Sequence, residues 1–184
     1  KQGHTNARNR GVNESNGEII AFTDDDVIVD TYWLQNIAKV FKENNVSCVG
    51  GRIFPIWEES CPEWLIHNLW STPNLYGPLA LLDYGDSPFY LDKPNIWGAN
   101  FAVKKIMFQG HGTFNTFFGR RPGKLYAGEE TALIRKLIEN GEKVMYAPDV
   151  ILHHCVPSER MRKAYFRKWV FDYGELSAIM QGTY

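Results

Sequence analysis

The residues able to do chemistry fall into three groups separated by long stretches of ordinary sequence. The first is Asp24-Asp25-Asp26, three carboxylates carried into a loop by the apolar run at residues 19–22. Adjacent acids repel one another and have no packing use, so a divalent cation is the natural counter-charge. The competing reading is a solvated Asp-rich turn that caps a helix starting near Asp30. The second group is Glu129-Glu130, which follows Gly128 and opens a helical pattern of Leu133, Ile134, Leu137 and Ile138. Two carboxylates there complement the helix dipole, worth about 0.3–1 kcal/mol. In the same place one of them can act as general base toward a substrate hydroxyl. The third group is His153-His154, delivered by short strands at 143–147 and 150–153 around Pro148-Asp149. Neighbours on a strand point to opposite faces, so one histidine faces the acidic loop, as a packed imidazole or as a metal ligand.

Elements of ordinary pattern must position these groups. Residues 5–14 read as a helix with Thr5 as N-cap and Asn16-Gly17 as its stop. Arg8 and Arg10 cannot share a face of it, so at most one points toward the acids. Residues 19–22 read as a strand buried on both faces, bringing the acids to its carboxyl end, where ligands collect in open α/β sheets. A helix from Asp30 or Thr31 to about Asn44 carries the apolar stripe Trp33, Leu34, Ile37, Ala38 and Phe41. A strand follows at 46–54, with Gly50-Gly51 allowing a bulge or a close approach. Residues 55–94, with six prolines and scattered aromatics, read as irregular apart from a short helix at 63–70. Strand character returns at 95–103, interrupted by the small residues Gly98-Ala99, before a glycine-rich loop at 110–128. The final helix, 158–179, has a stripe of Met161, Tyr165, Trp169 and Tyr173 among Arg160, Arg162, Lys163, Arg167 and Lys168.

The 184 residues suit one domain with a substantial core, and a formal net charge of −1 gives no global field for nucleic acid. Cys48, Cys61 and Cys155 form neither a CxxC pair nor an even framework, which favours a reducing compartment. No apolar run is long enough to span a membrane.

The order of these motifs resembles a known family. Ala-Arg-Asn-Arg-Gly at 7–11, Gly-Glu-Ile-Ile-Ala-Phe-Thr-Asp-Asp-Asp at 17–26, Trp33-Leu34, Gly98-Ala99-Asn100, Gly128-Glu129-Glu130 and His153-His154 stand in the sequence of family 2 glycosyltransferases of the GT-A fold. The resemblance covers nearly the whole chain, and six separated signals agree where an isolated DxD would be weak. It implies a GT-A-like, Rossmann-like mixed α/β sheet flanked by helices and incomplete at the N-terminus, lacking the uridine-binding strands. Residues 1–184 would be the C-terminal part of a catalytic domain, with 55–94 on the acceptor side and 158–180 as a basic amphipathic helix.

The resemblance also implies roles. Asp24, Asp26 and His154 would hold Mn2+ or Mg2+ on the diphosphate of a nucleotide sugar, most naturally a UDP-sugar, with Asp25 near the ribose or donor sugar and Arg8 on the nucleotide side. Gly98, Ala99 and Asn100 would border donor sugar and acceptor, and Trp97 would be an acceptor-side wall. Glu130 stands where the family usually has aspartate, so the base is Glu130 or Glu129. The expected activity is inverting, metal-dependent transfer to a glycan or lipid-linked acceptor in polysaccharide or cell-envelope biosynthesis, in the cytoplasm or at the inner membrane face. A homo-oligomer or second chain would cover the open sheet edge. A non-catalytic sugar-binding remnant and a metal-dependent phosphohydrolase are the rival expectations.

Overall fold

Alternation along the central strands decides the architecture, because successive side chains enter two different cores. The computed structural model describes residues 3–70, 76–120, 122–125 and 127–182; parts of the irregular 55–94 region and of the 110–128 loop lie outside them. Strands are β1 (Ile19–Thr23), β2 (Val27–Val29), β3 (Cys48–Trp57), β4 (Phe89–Tyr90), β5 (Asn100–Lys104) and β6 (Val144–Val156). Helices are α1 (His4–Glu14), α2 (Trp33–Glu43), α3 (Glu63–Ile66), α4 (Lys105–His111), α5 (Glu129–Glu139) and α6 (Lys163–Gly182).

The strands form one mixed sheet in the order β1-β5-β3-β6-β2, with β4 also on β6. Strands β3 and β6 run parallel, and the other pairs are antiparallel. On one face Ile20, Phe22, Cys48, Phe101, Val103, Val144 and Tyr146 join the main core. Phe22 stacks on Phe101 at 4.7 Å and meets Phe114 edge-on at 5.2 Å. On the other face Val49, Ala102, Ala147 and Val150 pack with Trp33 and Ile37 of α2. That second face is thinner. Ile19 and Ala21 are half-buried there, which corrects the expectation of a strand buried on both faces.

Other boundaries shift for local reasons. Helix α1 follows Gly3, and Thr5 lies inside it, buried, where a Cβ on Gly119 would collide with its hydroxyl. Asp30 does not cap α2 directly but organises the turn before it, its Oδ1 accepting from the Tyr32 amide at 2.8 Å. Leu34 of the expected stripe is 65% exposed. The two strands expected at 143–153 are one, kinked where the register with β3 jumps from Gly51–Ala147 to Arg52–Ile151. Gly51 makes this bulge possible, since a Cβ there would run into the Val150 carbonyl. The irregular 55–94 region is irregular in backbone only: Leu65, Leu69, Tyr76, Leu79, Leu81 and Leu82 are buried in the main core. The last helix is broken at Arg162, after a 3-10 turn at Ser158–Met161. Helix α6 docks through Phe166, Leu176 and Met180 rather than through Trp169 and Tyr173.

Candidate active site

Three elements converge on the carboxyl end of β1. The turn after it holds Asp24, Asp25 and Asp26, and β2 then pairs with β6 so that Val27 lies opposite His154. This pairing brings the His154 Nε2 within 3.2 Å of the Asp26 Oδ2. His154 is 2% exposed, while His153 is turned toward Phe54, so the two histidines do face opposite ways. Arg160, in the 3-10 turn before α6, closes the corner with Nη1 3.3 Å from His154 Nε2 and Nη2 3.7 Å from Asp26 Oδ2. The buried His154 Nδ1 has no partner among the described residues.

Asp24 belongs to a different cluster. Arg8, projecting from α1, is nearly buried and donates to Asp24 Oδ1 at 3.2 Å, to Glu129 Oε1 at 3.3 Å and to the Gly98 carbonyl at 3.1 Å. Its Nη1 is also 3.8 Å from Glu130 Oε2. His4 adds Nδ1 at 3.0 Å from the same Glu129 oxygen. Gly98 clears the way for the guanidinium, because a Cβ there would stand 2.6 Å from Arg8 Nη2. Arg10, two residues on, points away and pairs with Glu14.

The two glutamates at the start of α5 are both buried but respond oppositely. Burial drives both carboxyls upward, but the His4 hydrogen bond and the Arg8 charge bring Glu129 below the usual carboxylate range. For Glu130, burial and the neighbouring Glu129 charge outweigh Arg8 and the backbone of Gly98, and its pKa is pushed up to about 7. Glu130, not Glu129, lines a chamber of about 120 Å³ shared with Arg8, Asp24, Trp97, Gly98 and Ala99. Gly128 keeps α6 close to this helix start, its missing Cβ leaving room for Met180 and Leu176.

The set Asp24, Asp26 and His154 is not brought together: among the described residues no three His, Cys, Asp or Glu side chains converge as a metal cage. The Asp26 carboxylate oxygen and the His154 imidazole nitrogen, 3.2 Å apart, are donor types suited to a divalent ion, in a corner that Arg160 also occupies. Two protein ligands leave room for substrate phosphates and water. Asp25 stands exposed on the turn. Asn100 is corrected: among the described residues it lines none of the chambers beside Glu130. It is fully buried, accepts from Trp33 Nε1 at 2.8 Å and donates to the carbonyls of Arg52 and Val150, each at 2.8 Å. Its hydrogen bonds pin the β6 bulge. Trp97 is half-buried, its indole N–H donating to Leu81 O at 2.7 Å. Sequence reading missed His4, and it placed Arg160 only among helix charges; the six-residue spacing from His154 was the available signal.

The model of Glycosyl transferase family 2 matches residues 1–109. The chain belongs to that family. Two family-like relatives come from Haloferax volcanii. A glucosyl-dolichyl phosphate glucuronosyltransferase is 26% identical over 161 residues, covering 82% of this chain and 50% of that protein. Glycosyltransferase AglE is 25% identical over 169 residues, covering 91% and 49%. The chain thus spans about half the length of these relatives. Its fold is shared with solved glycosyltransferases. The mannosyltransferase PcManGT of Pyrobaculum calidifontis, in complex with GDP-Man and Mn2+, superposes with a TM-score of 0.56 at 20% identity, covering 86% of this chain and 38% of that one. GalNAc-T7 with UDP, GalNAc and Mn2+ gives 0.56 at 18% identity, covering 83% and 30%. The family 2 chain therefore has the mixed, helix-flanked GT-A sheet that its motifs implied.

Proposed function

We propose that this family 2 chain carries the catalytic portion of an inverting, metal-dependent glycosyltransferase that moves a sugar from a nucleotide-diphosphate donor to a glycan or lipid-linked acceptor. The observation that carries the reading is Glu130, a buried carboxyl with its pKa raised to about 7, lining the same chamber as Asp24. A base poised near the working pH combines a useful ionised fraction with real proton affinity. Arg8 and His4 keep Glu129 charged, and that fixed charge holds the next proton on Glu130. The acceptor hydroxyl gives its proton to the Glu130 carboxylate as its oxygen bonds the anomeric carbon. The bond from that carbon to the diphosphate oxygen breaks on the opposite face, and its electron pair leaves with the diphosphate. Asp26 and His154 would hold the divalent ion, with Asp24 tied to Arg8 at the edge of the site. When bound, that ion supplies Lewis-acid neutralisation of the leaving group.

The relatives support the finer choices. Complexes of neighbours with UDP or GDP-Man and Mn2+ favour a nucleotide-sugar donor and Mn2+ or Mg2+. The glucosyl-dolichyl phosphate in one relative's name favours a lipid-linked acceptor; a role in cell-envelope synthesis at the cytoplasmic membrane face is part of the same proposal. No described helix is long and apolar enough to cross a membrane. On α6 the exposed Val170 and Phe171 lie among exposed Lys163, Arg167 and Lys168, a pattern suited to peripheral contact with anionic lipid. The outer edge of β1 pairs with no described strand, and further strands or a second chain would cover it.

The reading is tested in the full-length protein with a panel of nucleotide sugars and Mn2+. Glu130→Gln is expected to lower kcat by about 10²–10⁴-fold with donor affinity unchanged. Normal turnover in that variant would reject Glu130 as the base, and loss confined to Glu129→Gln would reverse the two roles.

A further inference from the structure

Three cavities share walls around Trp97, starting from the chamber that Asp24 and Arg160 help to line. The chamber at Glu130 holds about 120 Å³, a second about 300 Å³, and a third about 380 Å³. Trp97 and Tyr173 line all three, and Trp169 lines the first two. The first has room for roughly four waters at about 30 Å³ each, enough for the hydroxyl-bearing edge of a ring and no more. The second reaches the low end of small-molecule sites, about 300–1,000 Å³.

The walls have a definite chemistry. Trp169 and Tyr173, one turn apart on α6, stack in parallel with centroids 4.8 Å apart and planes 9° apart. Trp97 is fixed by its bond to Leu81, and the edges of both indoles approach Gly77, where a Cβ would sit 3.7 Å from each. Neither Trp169 nor Tyr173 is among the buried residues that dock α6, so their placement is not explained by packing alone. Beyond them the third cavity turns polar, with Lys93, Asn95, Arg135 and Glu139 in its lining. Aromatic faces carry a negative quadrupole that attracts polarised C–H groups, and flanking polar side chains satisfy hydroxyls. That combination matches a sugar, whose rings have C–H faces and hydroxyl rims. A polyisoprenyl chain would have no partner for the polar outer cavity.

We infer that these cavities form an acceptor channel for a saccharide, with Trp97, Trp169 and Tyr173 as its stacking wall. The inference rests on the transferase reading for its direction: the ring edge nearest Glu130 carries the reacting hydroxyl, and the following ring lies between Trp97 and the Trp169–Tyr173 pair. Trp169 and Tyr173 thereby determine acceptor specificity.

The test uses the full-length protein and three probes, the methyl glycosides of cellobiose, lactose and mannobiose, followed by saturation-transfer NMR. At least one probe is expected to receive saturation on its ring C–H protons. Trp169→Leu should weaken its binding about tenfold, the equivalent of one aromatic stacking contact. Trp169→Phe should restore most of it. Silence from all three probes overturns the inference, as does equal loss in the Leu and Phe variants, which would make Trp169 a packing residue. Displacement of the probe by farnesyl phosphate would overturn it in favour of a lipid chain. Donor binding, measured separately by calorimetry with UDP- and GDP-sugars, keeps the two ideas apart. Absent donor binding with intact probe contacts rejects the transferase reading and supports the channel.

Discussion

The Arg8 guanidinium lies 3.3 Å from the carboxylate of Glu129, a side chain with no exposed surface. An ionised carboxylate so placed depends on its counter-charge, and His4, nearly half exposed, is a weaker substitute. Arg8→Met is therefore expected to destabilise the protein by about 3–5 kcal/mol, read from the denaturant midpoint. Arg8→Lys should recover only part, since an ammonium cannot reach Asp24, Glu129 and Gly98 O together as the planar fork does. A loss below about 1 kcal/mol would mean that Glu129 is protonated in the folded chain.

Glu130 makes a pH-dependent contribution of opposite sign. Its folded pKa of about 7 lies above the ordinary carboxyl value of 4.5. Below about pH 4.5 both states bind the proton and nothing is lost. Between there and pH 7 the unfolded chain releases it while the folded chain does not, so stability falls, and above pH 7 the loss is complete. Glu130→Gln should thus be more stable than the parent at pH 8, by about 3 kcal/mol at most, and the gap should shrink below about 1 kcal/mol by pH 5 and close by about pH 4. A gap independent of pH would sink the buried-acid assignment.

Metal binding should separate the acids that the sequence groups together. With Mn2+ and UDP, Asp26→Ala is expected to abolish the metal-dependent heat in calorimetry, because Asp26 shares its corner with His154. Asp24→Ala should weaken it less, since that carboxylate is engaged by Arg8. The reverse order would show that the three acids rearrange when the diphosphate arrives.

Glycines 11 and 51 should respond oppositely to the same added methyl. Gly51→Ala drives a Cβ into the Val150 carbonyl, backbone that cannot move without undoing the bulge, and should cost at least about 1–3 kcal/mol. Gly11→Ala lies inside α1 with nothing within 4 Å of the new atom, and should add about 0.5–1 kcal/mol. Thermal unfolding of both variants checks the pair.

What the sequence disclosed follows from the range of the forces involved. Local pattern sufficed for α2 and α5, because each has a regular apolar period and a stop such as Asn140-Gly141, and it placed β1, though the unbroken apolar run hid that one face is only half-buried. The resemblance in motif order, rather than local pattern, grouped the acids, Glu129-Glu130 and His154 into one site. It could not separate Asp24 from Asp26, since that division is made by Arg8 and Arg160, which arrive from distant elements. Asn100 looked like a site residue because it adjoins Gly98-Ala99, yet its partners Trp33, Arg52 and Val150 come from three other elements. Strand β2 was missed because three residues of half-exposed Val-Ile-Val carry no alternation to read. The 55–94 region hid its core residues behind prolines that break the backbone period without preventing burial.

The reach of the first helix into the second half of the chain has a kinetic side. His4 and Arg8 meet Glu129 across 125 and 121 residues of sequence, so these contacts close some of the longest loops in the fold. Loop closure on that scale comes late, after the hairpin-like and helical contacts have formed. Until then α1, with a mean pattern too polar to fold alone, has Asp24 and the Gly98 carbonyl to answer its guanidinium. The last contacts made in folding are then the ones that set the charge of Glu129 and the proton affinity of Glu130. A chain lacking this knot would keep most of its sheet and show amide protection there, while Glu129 lost the partners that hold it ionised and Glu130 lost the Arg8 charge that lowers its pKa.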